Sequence, residues 1–218
     1  MSLPFLVLTP DQRTDAWRQA RAGRLTGSRA GDMLAVTKKG EEAARRRDLR
    51  LQLVLERITG APQEAGFVSA DMQRGTELES EAFSQYEALT GNLVRRVGFL
   101  AHTDLLTGTS PDGVVGAYEG LVELKCPKST THLAYLRSGQ VADDYVKQCQ
   151  HALWITGAAW CDFVSYDPRF PDNLRLRMTR ITMTDADRKA YELLVRMFLG
   201  EVDREFEAVL KLASEVAA

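Results

Sequence analysis

The sequence contains few of the residues that form disulfides or metal sites built on sulfur and imidazole. Its three cysteines, Cys126, Cys149 and Cys161, are an odd number without a Cys-x-x-Cys pair. This usage argues against a disulfide framework and a zinc ribbon, and it is typical of reduced thiols in a cytosol. The three histidines include no pair four residues apart, so a histidine-based metal site has little support.

Long apolar runs and an excess of one charge are also missing. No apolar run approaches the ~20 residues that span a bilayer, so no transmembrane helix is predicted. Residues 1–10 lack the basic start and small-residue cleavage site of a signal peptide, which makes a cytoplasmic location the expectation. The net charge is −2, so any surface that binds nucleic acid must be local. No Gly-x-x-x-x-Gly-Lys-[Ser/Thr] loop occurs, and use of ATP is not expected.

What remains is the composition of an ordinary globular protein. The 218 residues are 44% hydrophobic and 27% charged, with no internal repeat and no Pro/Gly/Ser-rich linker. We predict a single domain with a helical part at about 1–91, a strand-containing core at about 92–183 and a C-terminal helix at about 184–216. The predicted fold class is α/β, with a short mixed β-sheet flanked by helices.

Hydrophobic periodicity and capping residues predict the individual elements. Helices are predicted at 14–21, 29–35 (with Ser28 as the N-cap), about 51–58, 69–89, 130–137, 141–156 and from Thr184 onward. Strands are predicted at 93–101, 103–109, 114–118, 121–125, 160–166 and 174–183, with 114–118 and 121–125 paired as a hairpin.

The segment from Ser110 to Lys125 carries the candidate chemistry. Residues two apart on a strand share a face, so Glu123 and Lys125 point the same way, and Asp112 stands at the start of the partner arm. Two carboxylates at one point suit Mg²⁺, and a neighbouring lysine can orient an attacking water. That set suits metal-assisted phosphodiester hydrolysis. The alternative is a solvated Glu–Lys ion pair beside an ordinary Asp-Gly turn.

Several further sequence motifs lie in and around this segment. Pro111-Asp112 with Glu123-Leu124-Lys125 resembles the PD-(D/E)xK nuclease signature. The further matches are Trp17-Arg18-Gln19-Ala20-Arg21 with Gly23, Thr26 and Ser28, then Gly75 to Glu79 with Glu81, Ser110, Cys126-Pro127, Tyr145-x-x-Gln148-x-Gln150 with Trp154, and Tyr166-Asp167-Pro168-Arg169. Together these motifs resemble, in order from about residue 14 to 170, those of the phage lambda exonuclease family of viral recombinases. The resemblance implies a restriction-endonuclease-like core.

The resemblance also implies a set of catalytic residues. Asp112 and Glu123, with the backbone carbonyl of Leu124, would hold Mg²⁺, two ions in number, with Mn²⁺ as the alternative cofactor. Lys125 would position the nucleophilic water. Glu79 would lie at the metal site and act through water, although on its own it fits a solvated helix face equally well.

A second set of residues is implied to bind the 5′-phosphate of a DNA end. The set is Arg21, Ser28, Ser110 and Gln148. An arginine fork and short hydroxyl donors suit a phosphate. Simpler interpretations stay open: Arg21 complements a helix dipole, Ser28 caps a helix and Gln148 is a surface polar residue.

The implied function is a Mg²⁺-dependent 5′→3′ exonuclease on double-stranded DNA. It would start at a 5′-phosphorylated end, release mononucleotides and leave a 3′ single-stranded tail for homologous recombination. A single-strand annealing protein is the implied partner, a homotrimeric ring the implied assembly, and a phage or prophage in a bacterial host cell the implied source. The alternatives are a structure-specific endonuclease of the same fold and a catalytically inactive module that binds DNA ends.

A protein without net positive charge needs a local basic track to hold DNA. The candidates are Lys38, Lys39, Arg45, Arg46, Arg47 and Arg50, with Arg95, Arg96 and Arg137 as further options. The segment 38–50 is equally consistent with a solvated stretch that binds nothing.

Overall fold

The computed structural model describes residues 3–63 and 70–216, with side chains up to residue 63 and from 73 to 212. The helices are α1 (Asp15–Arg21), α2 (Ala30–Met33), α3 (Ala44–Thr59), α4 (Ala70–Thr90), α5 (Ser129–Ser138), α6 (Asp143–Thr156) and α7 (Asp185–Val216). The strands are β1 (Phe5–Leu8), β2 (Leu25–Thr26), β3 (Val94–Arg95), β4 (Phe99–His102), β5 (Thr107–Thr109), β6 (Gly113–Val115), β7 (Gly120–Lys125), β8 (Trp160–Tyr166) and β9 (Leu176–Ile181). The predicted helix start at Ser69 lies outside the described residues.

Two mixed sheets form the centre of the fold. One has the strand order β1-β4-β5-β2, and the other has the order β3-β6-β7-β8-β9. β7 and β8 are parallel, so the chain must cross over between them, and α5 and α6 form that crossover. The other pairs of the second sheet are antiparallel. These mixed sheets flanked by helices confirm the predicted α/β class.

The central strand β7 is buried on both faces, which fixes the direction of its side chains. Leu121 belongs to the core that α6 covers, while Val122 and Leu124 belong to the core that α4 covers. The strand alternation therefore places Glu123 and Lys125 on the α6 side. The two faces of this one strand link the helices to the candidate site.

Outside the sheets, α3 packs against α7. Leu49 and Leu53 of α3 share a core with Tyr191, Phe198 and Val202 of α7. α3 begins at Ala44, well before the predicted start near 51, so the densely charged stretch is partly helical. Within the described ranges, no helix combines the length and hydropathy needed to cross a bilayer.

Several local predictions are wrong. Ser28 is not a helix N-cap: it lies inside a 3₁₀ turn, Gly27–Arg29, and α2 begins without a side-chain cap bond. The predicted strand at 93–101 is two strands in different sheets. Residues 96–98 separate the two strands, and at Gly98 the carbonyls of Leu8 and Pro10 leave no room for a Cβ atom.

Two strands, β1 and β2, have no counterpart among the predicted elements. They contain four and two residues, too few to show an alternation in sequence. Both are held by long-range pairing, β1 with β4 and β2 with β5. The predicted strand at 103–109 begins only at Thr107, because the preceding residues form the bend between β4 and β5.

Candidate active site

A β-hairpin brings the predicted acidic pair together. Asp112 immediately precedes β6, and Glu123 lies on β7, the strand that pairs with β6. The Oδ2 atom of Asp112 accepts a hydrogen bond of 2.7 Å from the backbone N–H of Leu124. This bond holds the Asp112 carboxylate at the carboxyl end of β7, close to Glu123.

Two side chains converge on one oxygen of Glu123. The Nζ atom of Lys125 contacts Oε1, and Nε2 of Gln148 donates a hydrogen bond of 2.7 Å to the same oxygen. Glu123 is only 2% exposed, so these two donors replace the hydrogen bonds from water that the carboxylate loses on burial. The Lys125 ammonium also lies 5.5 Å from the ring centroid of Tyr145, so it contacts α6 as well as Glu123 of its own strand.

The carboxylates and the lysine shift one another's protonation. Burial raises the pKa of Asp112 and raises the pKa of Glu123 to about 7, while the charge of Lys125 opposes both shifts. Burial lowers the pKa of Lys125, but the carboxylates of Glu123 and Asp112 outweigh it and raise that pKa overall. The cluster therefore holds two acidic groups against one ammonium, an excess that a bound cation would neutralise.

Glu79 of α4 faces the same cleft. Its Oε2 atom accepts a 2.7 Å ion-pair contact from Arg13, and Arg96 contacts its other oxygen. Burial works against the charge of Glu79, but its bonds with Arg96 and Arg13 hold its pKa below the usual value. Glu79 is therefore an ionised carboxylate, and its charge acts on both Asp112 and Glu123.

These groups border one cleft of about 330 Å³. Its walls are formed by Arg13, Gly75, Thr76, Glu79, Asp112, Leu124, Lys125, Cys126, Pro127, Lys128 and Tyr145. Asp112 and Lys125 from one predicted segment and Glu79 from another thus line one space, and Glu123 adjoins it through Lys125.

The four predicted phosphate-binding residues are linked through their neighbours. The guanidinium of Arg21 lies 3.9 Å from the ring centroid of Trp17, whose Nε1 donates a 3.0 Å hydrogen bond to Ser110 Oγ. Gly27, beside Ser28, packs closely against Thr109 and the backbone of Gln148.

A Cβ atom at Gly27 would lie 3.0 Å from the Thr109 hydroxyl and 3.7 Å from the Gln148 carbonyl, so glycine permits this approach. The structure thus links Arg21 to Ser110 through Trp17, and it packs the Ser28 turn against α6. Gln148 differs from the expectation in one respect, because its amide reaches the Glu123 carboxylate directly.

The basic segment 38–50 is largely neutralised. Arg46 pairs with Glu201 at 2.7 Å, and Arg50 pairs with Glu205 at 2.5 Å, so both connect α3 to α7. Their side chains are only 19% and 13% exposed. Arg45 pairs with Asp144, and Arg47 pairs with Asp48. Arg46 and Arg50 are therefore poorly placed for the DNA contact suggested by the sequence, whereas Lys38 and Lys39 are exposed.

The donor set at the cleft fits a hard divalent cation. Within residues 3–63 and 70–216, no three His, Cys, Asp or Glu side chains are grouped closely enough to hold a metal by themselves. Mg²⁺ needs fewer, because it keeps several waters and takes further oxygens from substrate phosphate. Asp112, which is half-buried, and Glu123, which is buried, lie beside the Leu124 backbone and meet that requirement.

Arg13 is a site residue that the sequence analysis did not identify. It reaches Glu79 across 66 residues of chain, and it lies outside the motifs that were compared. Arg96 was considered only as a DNA contact, yet it contacts the same carboxylate. Single-sequence patterns carry no sign of such long-range ion pairs.

A mixed sheet with an Asp–Glu–Lys hairpin and a facing helical glutamate is the architecture of the restriction-endonuclease-like class of nucleases. Within this class, the YqaJ-like viral recombinase domain matches residues 16–159 of the chain. The chain belongs to this family, in agreement with the resemblance to the lambda exonuclease family.

Solved structures show the same relationship. An alkaline exonuclease (LHK-Exo) from Laribacter hongkongensis is 40% identical, with a TM-score of 0.83 over 93% of this chain and 100% of that one. The same exonuclease in complex with dAMP matches with a TM-score of 0.84 at the same identity and coverage. A phage-related exonuclease from Haemophilus somnus 129PT, 12% identical, shares the fold with a TM-score of 0.64 over 85% of this chain and 96% of that one. No curated protein sequence matches the chain significantly.

Proposed function

We propose that this protein is a Mg²⁺-dependent 5′→3′ exonuclease on double-stranded DNA. It starts at a 5′-phosphorylated end, releases mononucleotides and leaves a 3′ single-stranded tail. The observation that carries the proposal is the hairpin that holds Asp112 and Glu123 beside Lys125 in one cleft. The 40% identical exonuclease has been solved with dAMP, a mononucleotide of the kind such a reaction releases.

The residues of the cleft divide the chemistry among them. Asp112, Glu123 and the Leu124 carbonyl would hold Mg²⁺, which when bound offsets the negative charge of the scissile phosphate. Lys125 orients the attacking water through its ammonium group. Gln148 holds the Glu123 carboxylate in place with its 2.7 Å hydrogen bond.

The bond changes follow from the proposed polarity. The water oxygen bonds to phosphorus and gives up a proton to solvent, the bond from phosphorus to the 3′ oxygen breaks, and the 3′ oxygen takes a proton from solvent. The remaining strand then carries a new 5′-phosphate. Each product end is therefore chemically the same as the starting end, and one phosphate pocket serves every round.

The pocket for that phosphate would be built by Arg21, Ser28, Ser110 and Gln148. Arg21 supplies a planar fork that is held over Trp17, and Ser110 is held by the Trp17 indole. Gln148 belongs to both sets, since it also binds Glu123. This shared residue would couple occupation of the end pocket to the geometry of the metal site.

The wider assignment follows the family. A viral recombinase would act in the cytoplasm of a bacterial host, where a single-strand annealing protein would receive the 3′ tail. A homotrimeric ring around the DNA would let modest basic surfaces of three subunits converge on one duplex. Sedimentation of the purified protein tests this assembly, because a monomer at working concentration would contradict it.

A nuclease assay on two DNA forms tests the proposed reaction. A linear duplex with a labelled 5′-phosphorylated end and a covalently closed circle are incubated with wild type and with Asp112→Ala, with and without Mg²⁺. We expect wild type to release labelled mononucleotides from the linear duplex only, and only with Mg²⁺. Nicking of the circle would instead assign a structure-specific endonuclease. End binding without any cleavage would assign an inactive end-binding module.

A further inference from the structure

A second groove lies next to the cleft of the candidate active site, with Glu79 at the boundary. Its volume is about 490 Å³, and Arg13, Thr76 and Glu79 belong to both spaces. The other walls come from the end of β1 and the turn that follows it, and from residues 95–98. A chain-like ligand in the cleft can therefore continue into this groove.

Three guanidinium groups and two carboxylates line the groove. The cations are Arg13, Arg95 and Arg96, and the anions are Asp11 and Glu79. Glu79 is shared by two of the cations, and its side chain is 11% exposed, whereas those of Arg13 and Arg96 are 53% and 52% exposed. A guanidinium has five N–H donors, so both arginines keep donors for a ligand in the groove.

The third cation, Arg95, is held by an aromatic ring instead of a carboxylate. Its guanidinium lies 5.2 Å from the ring centroid of Tyr118, and the residue is exposed. Contact through the face of a guanidinium leaves the N–H groups in its plane for acceptors such as phosphate oxygens. This differs from Arg46 and Arg50, whose forks are taken up by glutamates of α7.

The turn that carries Arg13 is strained and anchored. Arg13 has a φ of 71°, in the left-handed region that residues with a side chain rarely adopt. The neighbouring Gln12 holds the turn, since its Nε2 donates hydrogen bonds of 2.9 and 3.0 Å to the carbonyls of Val97 and Pro111. A costly conformation that its surroundings maintain is common where a side chain must be aimed at a ligand.

The size of the groove selects the form of nucleic acid. A volume of about 490 Å³ is in the range of pockets that enclose one small molecule, which matches a short piece of a single strand better than a duplex. Phosphate oxygens are the acceptors that closely spaced guanidiniums bind best. The groove also shares Arg13, Thr76 and Glu79 with the cleft in which the scissile phosphate would lie.

We propose that Arg13, Arg95 and Arg96 bind successive phosphates of the cleaved DNA strand, beyond the scissile bond and separated from its complement. The inference rests on the proposed function, because it takes the cleft as the position of the scissile phosphate. It adds a strand-guiding groove next to the catalytic residues. Each phosphate contact contributes to binding and to its dependence on salt.

Neutral phosphate analogues test the contact one linkage at a time. The probes are 5′-phosphorylated duplexes with a single methylphosphonate at each of the first several linkages of either strand. Binding to wild type, Arg95→Ala and Arg196→Ala is measured by fluorescence anisotropy in EDTA, so that no cleavage occurs. Arg95 is the reporter because it does not contact Glu79. Arg196, an α7 arginine paired with Glu192 and 50% exposed, is the matched control.

We expect that a methylphosphonate at one linkage of the 5′-ended strand lowers the affinity of wild type for the probe about tenfold. Arg95→Ala should bind the unmodified probe more weakly than wild type does, by a similar factor. A methylphosphonate at that same linkage should not weaken its binding any further, while Arg196→Ala should behave as wild type. The proposal would be overturned if Arg95→Ala and the methylphosphonate lowered the affinity independently at every linkage. It would also be overturned if the linkage that is coupled to Arg95 lay in the complementary strand.

A parallel digestion separates this proposal from the proposed function. Wild type is incubated with the unmodified duplex and Mg²⁺ in the same series. If the duplex is digested but no linkage shows an effect that depends on Arg95, the groove proposal is rejected and the exonuclease proposal is kept. Coupling in the 5′-ended strand without digestion would keep the groove and reject the exonuclease.

Discussion

At the scale of single residues, Glu123 connects the parts of the candidate site. One of its oxygens contacts Lys125 and Gln148, the first from its own strand and the second from α6. Its burial makes these polar contacts strong and the loss of either one costly. A change at one partner should therefore affect the positions of the others.

Lys125→Ala should stop turnover while leaving the protein able to bind a DNA end. The ammonium that orients the water is removed, but the Leu124 N–H bond to Asp112 and the Gln148 bond to Glu123 remain to hold both carboxylates, so we expect kcat to fall by about 10²–10⁴-fold. Single-turnover digestion and anisotropy with a 5′-phosphorylated duplex measure the two properties. Lys147→Ala, on α6 and paired with Asp143, is the matched control. Loss of end binding by folded Lys125→Ala would contradict the role.

Under the proposed function Mg²⁺ should stabilise wild type, because a cation that binds the folded site and not the unfolded chain favours the folded state. At concentrations well above the dissociation constant, we expect Tm to rise by about 2–8 °C. Asp112→Asn and Glu123→Gln should lose most of this rise, and Arg196→Ala should keep it. Differential scanning fluorimetry with and without EDTA measures the shift. An equal rise in all four proteins would show that the cation binds elsewhere.

His151 should make the protein less stable in acid. Burial lowers the pKa of His151 to about 4, and its Nε2 lies 3.2 Å from the Gly108 carbonyl while Nδ1 lies 2.8 Å from the Tyr191 hydroxyl. The unfolded chain takes up a proton near pH 6.5 and the folded one only near 4. Stability is therefore intact above pH 6.5 and is lost as pH falls toward 4, by up to about 3 kcal/mol.

Urea unfolding across this pH range checks that expectation. The free energy of unfolding should be larger for wild type than for His151→Gln at pH 7, and this difference should shrink as the pH falls to 4.5. A constant difference would show that His151 titrates alike in the folded and unfolded states.

At the scale of elements, long and regular segments were predicted better than short ones. The hairpin of β6 and β7, the parallel strand β8 and the helices α6 and α7 correspond to clear sequence patterns. By contrast, β1 and β2 exist only because β4 and β5 pair with them. The turn at Ser28 shows a similar limit, because a capping residue type does not reveal whether a helix follows directly or after a 3₁₀ turn.

The contact between α3 and α7 gives Arg50 a role in stability rather than in DNA binding. Its fork contacts Glu42 and pairs with Glu205 at 2.5 Å. Since these carboxylates are partly exposed, we expect Arg50→Ala to lower the free energy of unfolding by about 1–3 kcal/mol. Urea unfolding measures this loss. The slope of log affinity for DNA against log salt should stay unchanged. A slope that is smaller in magnitude by about 0.9 would show that Arg50 contacts a DNA phosphate.

At the scale of the whole molecule, the candidate site was predictable where it depends on local sequence. Asp112, Glu123 and Lys125 lie on one hairpin, so strand geometry alone brings them together. Contacts between distant segments were not predictable, as in the pairing of Arg13 with Glu79. Gln148 was named from its motif, yet only the packing of α6 on β7 shows that it reaches Glu123.

The central claim is that the Asp112–Glu123–Lys125 cleft hydrolyses DNA from its 5′ end with Mg²⁺. The most direct measurement is a time course of a linear duplex labelled at the 5′ end of one strand or at the 3′ end of the same strand. We predict that the 5′ label appears first, as a mononucleotide, only with Mg²⁺ and with wild type but not with Asp112→Ala. Earlier release of the 3′ label, or undiminished release by Asp112→Ala, would contradict the account.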